Sequence, residues 1–168
     1  ESGVEASCGL HPWHSANPAT PPDWPERLEA LLAAHPDLGV GEIGLDALRP
    51  DHEAQMRAFT AQLALAARLG RGVALHCVRA HADMIAVLRT AAGSLPGILL
   101  HGAACSPELW REYEPLGVCV SIGPAVLNPR STRVRELARI VPEDRLLFET
   151  DSPDMAIHGC AVPEFGGR

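Results

Sequence analysis

Five short apolar runs separated by helix-like segments constrain the fold of this chain more than any other feature. The runs begin at residues 40, 73, 98, 118 and 146, so successive starts lie 20 to 33 residues apart. This spacing is typical of βα units, and strands that alternate with helices predict a parallel sheet. A weaker strand over residues 4–10 brings the count to six, whereas a complete (β/α)8 barrel needs eight strands and about 250 residues. The 168 residues therefore predict one α/β domain, 1–168, as a smaller open sheet or a partial barrel.

The segments between the runs carry signals for the ends of helices. Asp23 followed by Glu26 resembles an N-terminal capping pair, and Ser106 followed by Pro107 is typical of a first turn. Apolar side chains at steps of three and four predict the main helices. These helices are expected over residues 52–69, over about 82–92 and around 133–140.

Composition excludes several classes of function. The formal charge of −7 disfavours a broad electrostatic grip on nucleic acid, although bound metals can supply positive charge locally in a nuclease. No apolar run approaches the roughly 20 residues that cross a bilayer, and the first residues do not resemble a secretory signal. The chain has no Gly-rich phosphate loop and no G-x-S-x-G elbow, so nucleotide-loop and serine-hydrolase functions lack support.

The five cysteines indicate a reducing compartment. They form no C-x-x-C pair, are odd in number and lie mostly within or beside apolar strands, so small buried thiols are favoured over disulfides or a zinc site. We therefore expect a cytoplasmic protein without membrane association. The cysteines are Cys8, Cys77, Cys105, Cys119 and Cys160.

Four of the predicted strands end in a residue that can bind a metal ion. Glu42 lies in the first of the five runs, His76 and His101 close the next two, and Asp151 follows the last. Since parallel strands all end on one side of the sheet, these side chains are expected to converge, and two carboxylates with two imidazoles suggest a metal-dependent hydrolase. The competing interpretations are a salt-bridged Glu42, hydrogen-bonded core histidines and an N-cap role for Asp151.

Further polar residues stand next to these candidates. His11 and His14 lie in a His-Pro-Trp-His tetrapeptide. They could be metal ligands or substrate contacts, but the tetrapeptide is equally compatible with a surface turn. Arg79 and His81 follow His76 at the place where an anionic substrate would be met.

Five motifs follow one another along nearly the whole chain. They are Gly9-Leu10-His11-Pro12, Gly41-Glu42-Ile43-Gly44-Leu45-Asp46, Leu75-His76-Cys77-Val78-Arg79-Ala80, His101-Gly102 and Glu149-Thr150-Asp151-Ser152-Pro153. Each motif is weak alone, but the five in this order resemble the TatD family of metal-dependent deoxyribonucleases. The resemblance implies an amidohydrolase-type (β/α)8 barrel with a two-metal site that hydrolyses phosphodiester bonds in DNA, commonly as an exonuclease, with Mg²⁺, Mn²⁺ or Zn²⁺.

The resemblance also implies roles for individual residues. Glu42 would bridge both metals, His76 and His101 would complete one site, and Asp151 would serve the other and orient or deprotonate the attacking water. Glu42 and Asp151 are therefore the expected catalytic residues as well as metal ligands. His11 would lie near the substrate phosphate, and Arg79 is the second expected substrate-binding residue.

The chain departs from the family pattern at its ends. The family's first strand carries a His-x-His pair, and this sequence contains none. We therefore expect a partial (β/α)8 barrel of about six βα units that lacks the first two strands and the terminal helix. One metal site would be incomplete, which leaves one metal instead of two and weak or absent activity. A non-catalytic remnant or interaction module, or a small-molecule amidohydrolase, are the alternatives, and no protein partner is identifiable.

Overall fold

The computed structural model describes residues 6–152, which fall into two compact units with a boundary between Leu100 and His101. Six strands alternate with helices along the described chain, and every strand pairing within each unit is parallel. No helix among these residues is long and apolar enough to cross a membrane.

The first unit is built on a four-stranded parallel sheet and three α-helices. Its strands and α-helices are β1 Ser7–Cys8, α1 Trp24–Ala34, β2 Gly39–Asp46, α2 His52–Leu69, β3 Val73–Val78, α3 His81–Ala91 and β4 Ile98–Leu100. The strands pair in the order β1-β2-β3-β4. Leu28 and Leu32 of α1, and Phe59 and Leu63 of α2, are buried in the core. The strand β2 is buried along nearly its whole length, as expected for a parallel strand that is covered on both faces.

A β-bulge interrupts the pairing of β2 with β3. Val40 pairs with Val73 and Ile43 with Leu75, so β2 uses one residue more than β3 over this interval. Bulges re-aim the side chains next to them, and the extra residue here falls at Gly41-Glu42. A Cβ on Gly41 would lie 2.6 Å from the Cβ of Ala74, so glycine is what allows the two backbones to approach so closely.

Two buried glutamines on α2 fix the last residue of β2 and the segment that follows β1. Gln55 accepts a hydrogen bond from the Asp46 backbone N–H (2.7 Å) and donates to the Asp46 carbonyl (3.1 Å). Gln62 accepts from the Leu10 N–H (2.6 Å) and donates to the Leu10 carbonyl (3.1 Å). Because both side chains are almost fully buried and hydrogen-bonded, each fixes the position of the backbone that it contacts.

The second unit pairs two parallel strands and packs two helices together. Val118, Val120 and Ile122 of β5 are buried, as are Trp110 of α4 and Leu137 of α5. Ser106 caps α4 by accepting from the Leu109 N–H at 3.4 Å. The elements are α4 Pro107–Tyr113, β5 Val118–Ile122, α5 Thr132–Ile140 and β6 Leu146–Phe148.

The observed elements follow the predicted ones closely, with two differences. The weak strand expected over 4–10 is the two-residue β1, and residues 4 and 5 of that prediction lie outside the described residues. Asp23 occupies the N-cap position of α1 but does not cap it, because its carboxylate accepts from Arg27 Nε at 3.0 Å instead. Within the described residues, no disulfide bond joins Cys8, Cys77, Cys105 or Cys119. Only Cys105 is fully buried, although buried thiols were predicted, and Cys160 lies outside the described residues.

Candidate metal centre

Glu42, His76 and His11 form one cluster at the carboxyl end of the sheet in the first unit. The Glu42 Oε2 atom lies 3.8 Å from His76 Nδ1 and 3.8 Å from His11 Nε2. One ligand atom from each of the three residues lies within 4.8 Å of the others, so the cluster can hold a metal ion. All three side chains are half-buried, which leaves a path for an ion or a substrate.

Glycine residues in β2 bring this cluster together. Gly44 pairs with His76, and its φ of +143° lies in a region that side-chain-bearing residues rarely adopt. A Cβ on Gly44 would overlap the backbone oxygen of His76. The close approach of β2 to β3 at Gly41 and Gly44 therefore sets the distance between Glu42 and His76.

Asp46 orients the imidazole of His76. The Asp46 Oδ2 atom lies 3.5 Å from His76 Nε2, and this buried nitrogen makes no conventional hydrogen bond within residues 6–152. Burial alone would raise the pKa of Asp46, but hydrogen bonds from the Trp13 indole and the Leu48 N–H, together with the nearby His76 ring, outweigh it and lower that pKa. An ionised Asp46 favours the proton on His76 Nε2 and leaves the lone pair of Nδ1 turned toward Glu42, as metal-binding histidines require.

The distance between His76 and Glu42 suits a bound cation. Nitrogen and oxygen ligands bind Zn²⁺ at about 2.0–2.2 Å, so two such ligands can be up to about 4.2 Å apart across one ion. The 3.8 Å between His76 Nδ1 and Glu42 Oε2 is within this limit. The residues present therefore fit a divalent metal.

His11 differs from His76 in whether the ring nitrogen that faces Glu42 carries the proton. Its Nδ1 accepts a hydrogen bond from the Trp13 backbone N–H at 3.2 Å, which places the proton of the neutral ring on Nε2. Burial, together with the nearby His76, lowers the pKa of His11 to about 4, so the ring is neutral at pH 7. Since Nε2–H faces Glu42, His11 is better suited to donate a hydrogen bond to a substrate oxygen than to bind a metal.

The second unit contains a similar arrangement around His101. His101 Nδ1 lies 2.8 Å from Glu149 Oε2, and His101 Nε2 lies 3.2 Å from Asp151 Oδ1. A ring that donates its Nδ1–H to Glu149 turns the lone pair of Nε2 toward the Asp151 carboxylate. Two electron-rich atoms at this distance need a cation between them, either a proton or a metal ion.

Glu149 is held by a short hydrogen-bond network in the second unit. The Ser121 hydroxyl and His101 both donate to its Oε2 atom, and Ser121 is itself buried. Burial would raise the pKa of Glu149, but these hydrogen bonds and the nearby His101 lower it overall. Glu149 is therefore ionised at neutral pH and orients His101 toward Asp151.

The other residues singled out from the sequence, Arg79, His14 and His81, lie outside the two clusters. Arg79 follows β3 with an exposed side chain and a φ of +53°. His14 is exposed, and its ring centroid lies 6.4 Å from that of His11. Cys77 Sγ lies 3.4 Å from His81 Nδ1. Glu42 and His76 come together in the first unit, and His101 and Asp151 come together in the second.

Several residues that position the clusters were not assigned a role from the sequence. Asp46 and Glu149 lie inside the motifs given above. Each is a carboxylate at the end of an apolar strand, and this pattern could have indicated a role in the site. Gln55 and Gln62 are seven residues apart on the apolar face of α2, where an amide must find buried partners. Trp13 and Ser121 gave no such signal.

Structural comparison supports the predicted fold class. The TatD homolog YJJV from Escherichia coli K12 matches with a TM-score of 0.82 and 31% identity, covering 92% of this chain and 60% of that chain. A hydrolase TatD family protein from Entamoeba histolytica matches with a TM-score of 0.72 and 20% identity, over 84% of this chain and 48% of that chain. These likenesses confirm the prediction of an α/β fold of the partial (β/α)8-barrel class.

Sequence comparison agrees with the structural one. This chain is 37% identical over 155 residues to the 3'-5' ssDNA/RNA exonuclease TatD of Pantoea vagans and 39% identical over 155 residues to that of Edwardsiella piscicida. Each match covers 88% of this chain and 57% of the relative, so the chain spans little more than half the length of these relatives. The family described as TatD related DNase matches residues 1–164, and the chain therefore belongs to the TatD family.

Proposed function

We propose that this chain carries the metal-dependent centre of a nuclease that hydrolyses phosphodiester bonds in single-stranded DNA or RNA. The observation that carries the proposal is the pair formed by Glu42 and His76, 3.8 Å apart, with Asp46 on the other nitrogen of His76. The similarity to relatives named as 3'-5' ssDNA/RNA exonucleases supports the choice of substrate. Because one family match spans residues 1–164, we treat residues 1–168 as one TatD-like domain.

In the first unit, Glu42 and His76 hold a divalent cation. A mixed set of carboxylate and imidazole ligands favours Mn²⁺ or Zn²⁺ over Mg²⁺, which prefers oxygen ligands. When bound, this cation would activate water and stabilise charge on the phosphoryl oxygens. His11 donates its Nε2–H to a phosphate oxygen, and the exposed guanidinium of Arg79 attracts the anionic substrate.

In the second unit, His101 and Asp151 are metal ligands, and Glu149 keeps the lone pair of His101 Nε2 directed at Asp151. Asp151 also orients the attacking water and accepts its proton. A carboxylate that is part-buried and next to an imidazole is suited to this role, since it accepts hydrogen bonds and remains reachable from solvent. We also propose a cytoplasmic location, which is supported by the odd number of cysteines and their lack of any C-x-x-C pair in the sequence.

Metal binding and hydrolysis together test the proposal. Calorimetric titration of the metal-free chain with Mn²⁺ and Zn²⁺ is paired with hydrolysis of a labelled single-stranded oligonucleotide. Glu42→Gln should weaken metal binding and lower hydrolysis at least about 100-fold, because the carboxylate charge opposite the cation is lost. Asp151→Asn should lower hydrolysis to a similar extent.

Glu53→Gln, on the exposed start of α2, is the matched control and should leave both measurements unchanged. Metal binding and hydrolysis that are unaffected by Glu42→Gln would refute the assignment of this centre.

A further inference from the structure

The first unit contains a cleft next to the metal cluster that the proposed chemistry does not use. Its volume is about 310 Å³, near the lower limit for small-ligand sites, which is about 300 Å³. Three flat apolar walls and three polar groups form most of its lining. These residues are Pro12, Trp13, Asn17, Arg49, Pro50 and Asp51.

A stacked pair forms the main wall of this cleft. The guanidinium carbon of Arg49 lies 4.2 Å from the ring centroid of Trp13. Trp13 is 50% exposed, so part of its ring is accessible to a ligand. A guanidinium over an indole adds positive charge to the aromatic wall, and guanidinium groups can themselves stack on flat ligands.

Asp46 anchors both members of the stack and connects them to the metal cluster. Its Oδ2 atom accepts from the Trp13 Nε1–H at 2.6 Å, and its backbone carbonyl accepts from the Arg49 N–H at 3.1 Å. The same Oδ2 atom lies 3.5 Å from His76 Nε2. The ring centroids of Trp13 and His76 are 6.0 Å apart. A base in the cleft and the phosphate of a neighbouring nucleotide at the metal can therefore be bound at the same time.

We propose that this cleft binds a nucleobase of the nucleotide next to the hydrolysed bond, an inference that rests on the proposed function. The lining favours a base over a second phosphate, because the positive charge of Arg49 is balanced by Asp51 in the same cleft. Trp13, Pro12 and Pro50 match the faces of a base, and Asn17 and Asp51 match the hydrogen-bonding groups on its edge. A base inside a duplex cannot reach such a site, so the cleft selects single strands.

Removal of a base from the ligand tests this inference directly. The ligand is a phosphorothioate-linked hexathymidylate, which resists hydrolysis, and a matched series carries one abasic position moved along the strand. Fluorescence anisotropy in the presence of Mn²⁺ gives the dissociation constant for each. One abasic position should weaken binding to the wild-type chain roughly 5- to 150-fold, the range expected when one base loses an aromatic partner.

Variants of the stack should remove this discrimination. Trp13→Leu should bind the intact strand as weakly as the wild type binds the abasic strand, with no further loss when the base is absent. Trp13→Phe keeps an aromatic ring and should keep most of the discrimination, and Arg49→Lys keeps the charge but should lose part of it. Trp24→Leu, on α1, is the control and should behave as the wild type.

Metal titration of each variant shows whether the centre is intact, so a misfolded variant is not mistaken for a result. Full discrimination by a Trp13→Leu variant that still binds Mn²⁺ would overturn the inference. Hydrolysis of ordinary phosphodiester strands is measured in parallel. If the chain hydrolyses DNA but binds intact and abasic strands equally, only the nucleobase site is overturned. If it distinguishes these strands but does not hydrolyse DNA, only the proposed function is overturned.

Discussion

His76 in the first unit and His101 in the second are each oriented by a carboxylate that faces one ring nitrogen. The nitrogen that faces this carboxylate differs between the two. Asp46 faces Nε2 of His76 and leaves Nδ1 turned toward Glu42. Glu149 faces Nδ1 of His101 and leaves Nε2 turned toward Asp151. In both units one carboxylate fixes the tautomer, and a second carboxylate stands on the side of the lone pair.

The two orienting carboxylates differ in how tightly they hold the ring. The carboxylate contact is 3.5 Å at His76 and 2.8 Å at His101, and only the second is a short charge-assisted hydrogen bond. At His76 the backbone is constrained as well, since Gly44 lies directly against the His76 carbonyl. The position of His76 therefore depends more on strand register, and that of His101 more on a side-chain hydrogen bond.

Adding a methyl group to a glycine in each unit should separate these two mechanisms most strongly. Gly44→Ala places a Cβ on the backbone oxygen of His76 at a φ of +143°. We expect a loss of about 3 kcal/mol or more in the free energy of unfolding and loss of Mn²⁺ binding by the first unit. Gly102→Ala, at a φ of +55° with its nearest neighbour 3.6 Å away, should cost only about 1 kcal/mol. Urea denaturation followed by circular dichroism measures both, and equal losses would contradict the comparison.

Replacing each orienting carboxylate by its amide should have an intermediate effect. Asp46→Asn and Glu149→Gln keep size and remove charge, so each should weaken metal binding about 10- to 100-fold. The larger loss is expected for Glu149→Gln because its contact with the ring is shorter. Calorimetric titration with Zn²⁺ gives the two affinities, with the exposed Asp144→Asn as control. A larger loss for Asp46→Asn would show that the distance from carboxylate to imidazole does not determine how much each carboxylate contributes to metal affinity.

The pH dependence of the free energy of unfolding should differ between the two units. We expect this effect to be smaller than those of the glycine and carboxylate substitutions. The pKa of His11 in the first unit is lowered from 6.5 to about 4, so the unfolded chain takes up a proton at a higher pH than the folded one. The metal-free protein should therefore have its full stability above pH 6.5 and lose about 2 kcal/mol as the pH falls toward 4, allowing for the partial exposure of the ring.

His11→Gln should remove this dependence. Glu149 in the second unit has a lowered pKa, so its contribution is present above the ordinary carboxylate pKa and is lost only as the pH falls below it. Melting temperatures measured from pH 7.5 to pH 4 in a chelator test the difference. A His11→Gln variant whose pH dependence matches that of the wild type would contradict the assignment.

Local signals in the sequence were sufficient for most of the fold. The helix predicted over residues 52–69 is α2, His52–Leu69, and the strand predicted at Val118–Ile122 has the same bounds in the structure. Apolar periodicity and a terminal glycine act over a few residues, so they survive without tertiary context. Asp23 shows where this fails, because Arg27 competes for its carboxylate.

The candidate site was only partly accessible to the same reasoning. The family motifs pointed to Glu42, His76, His101 and Asp151, and the family match over residues 1–164 confirms the resemblance. Their individual roles stay predictions. The contact between Asp46 and His76 depends on the register of β2 against β3 and on a bulge, which no local pattern specifies.

By itself, the sequence determined the order of strands and helices, the family and the residue types that a metal centre needs, because each depends on neighbouring residues or on a fixed motif. Only the tertiary structure decided which nitrogen of each histidine is turned outward, and that Trp13 and Arg49 stack beside the cluster. These depend on contacts between residues that are distant in the chain, whose geometry is set by packing and backbone register.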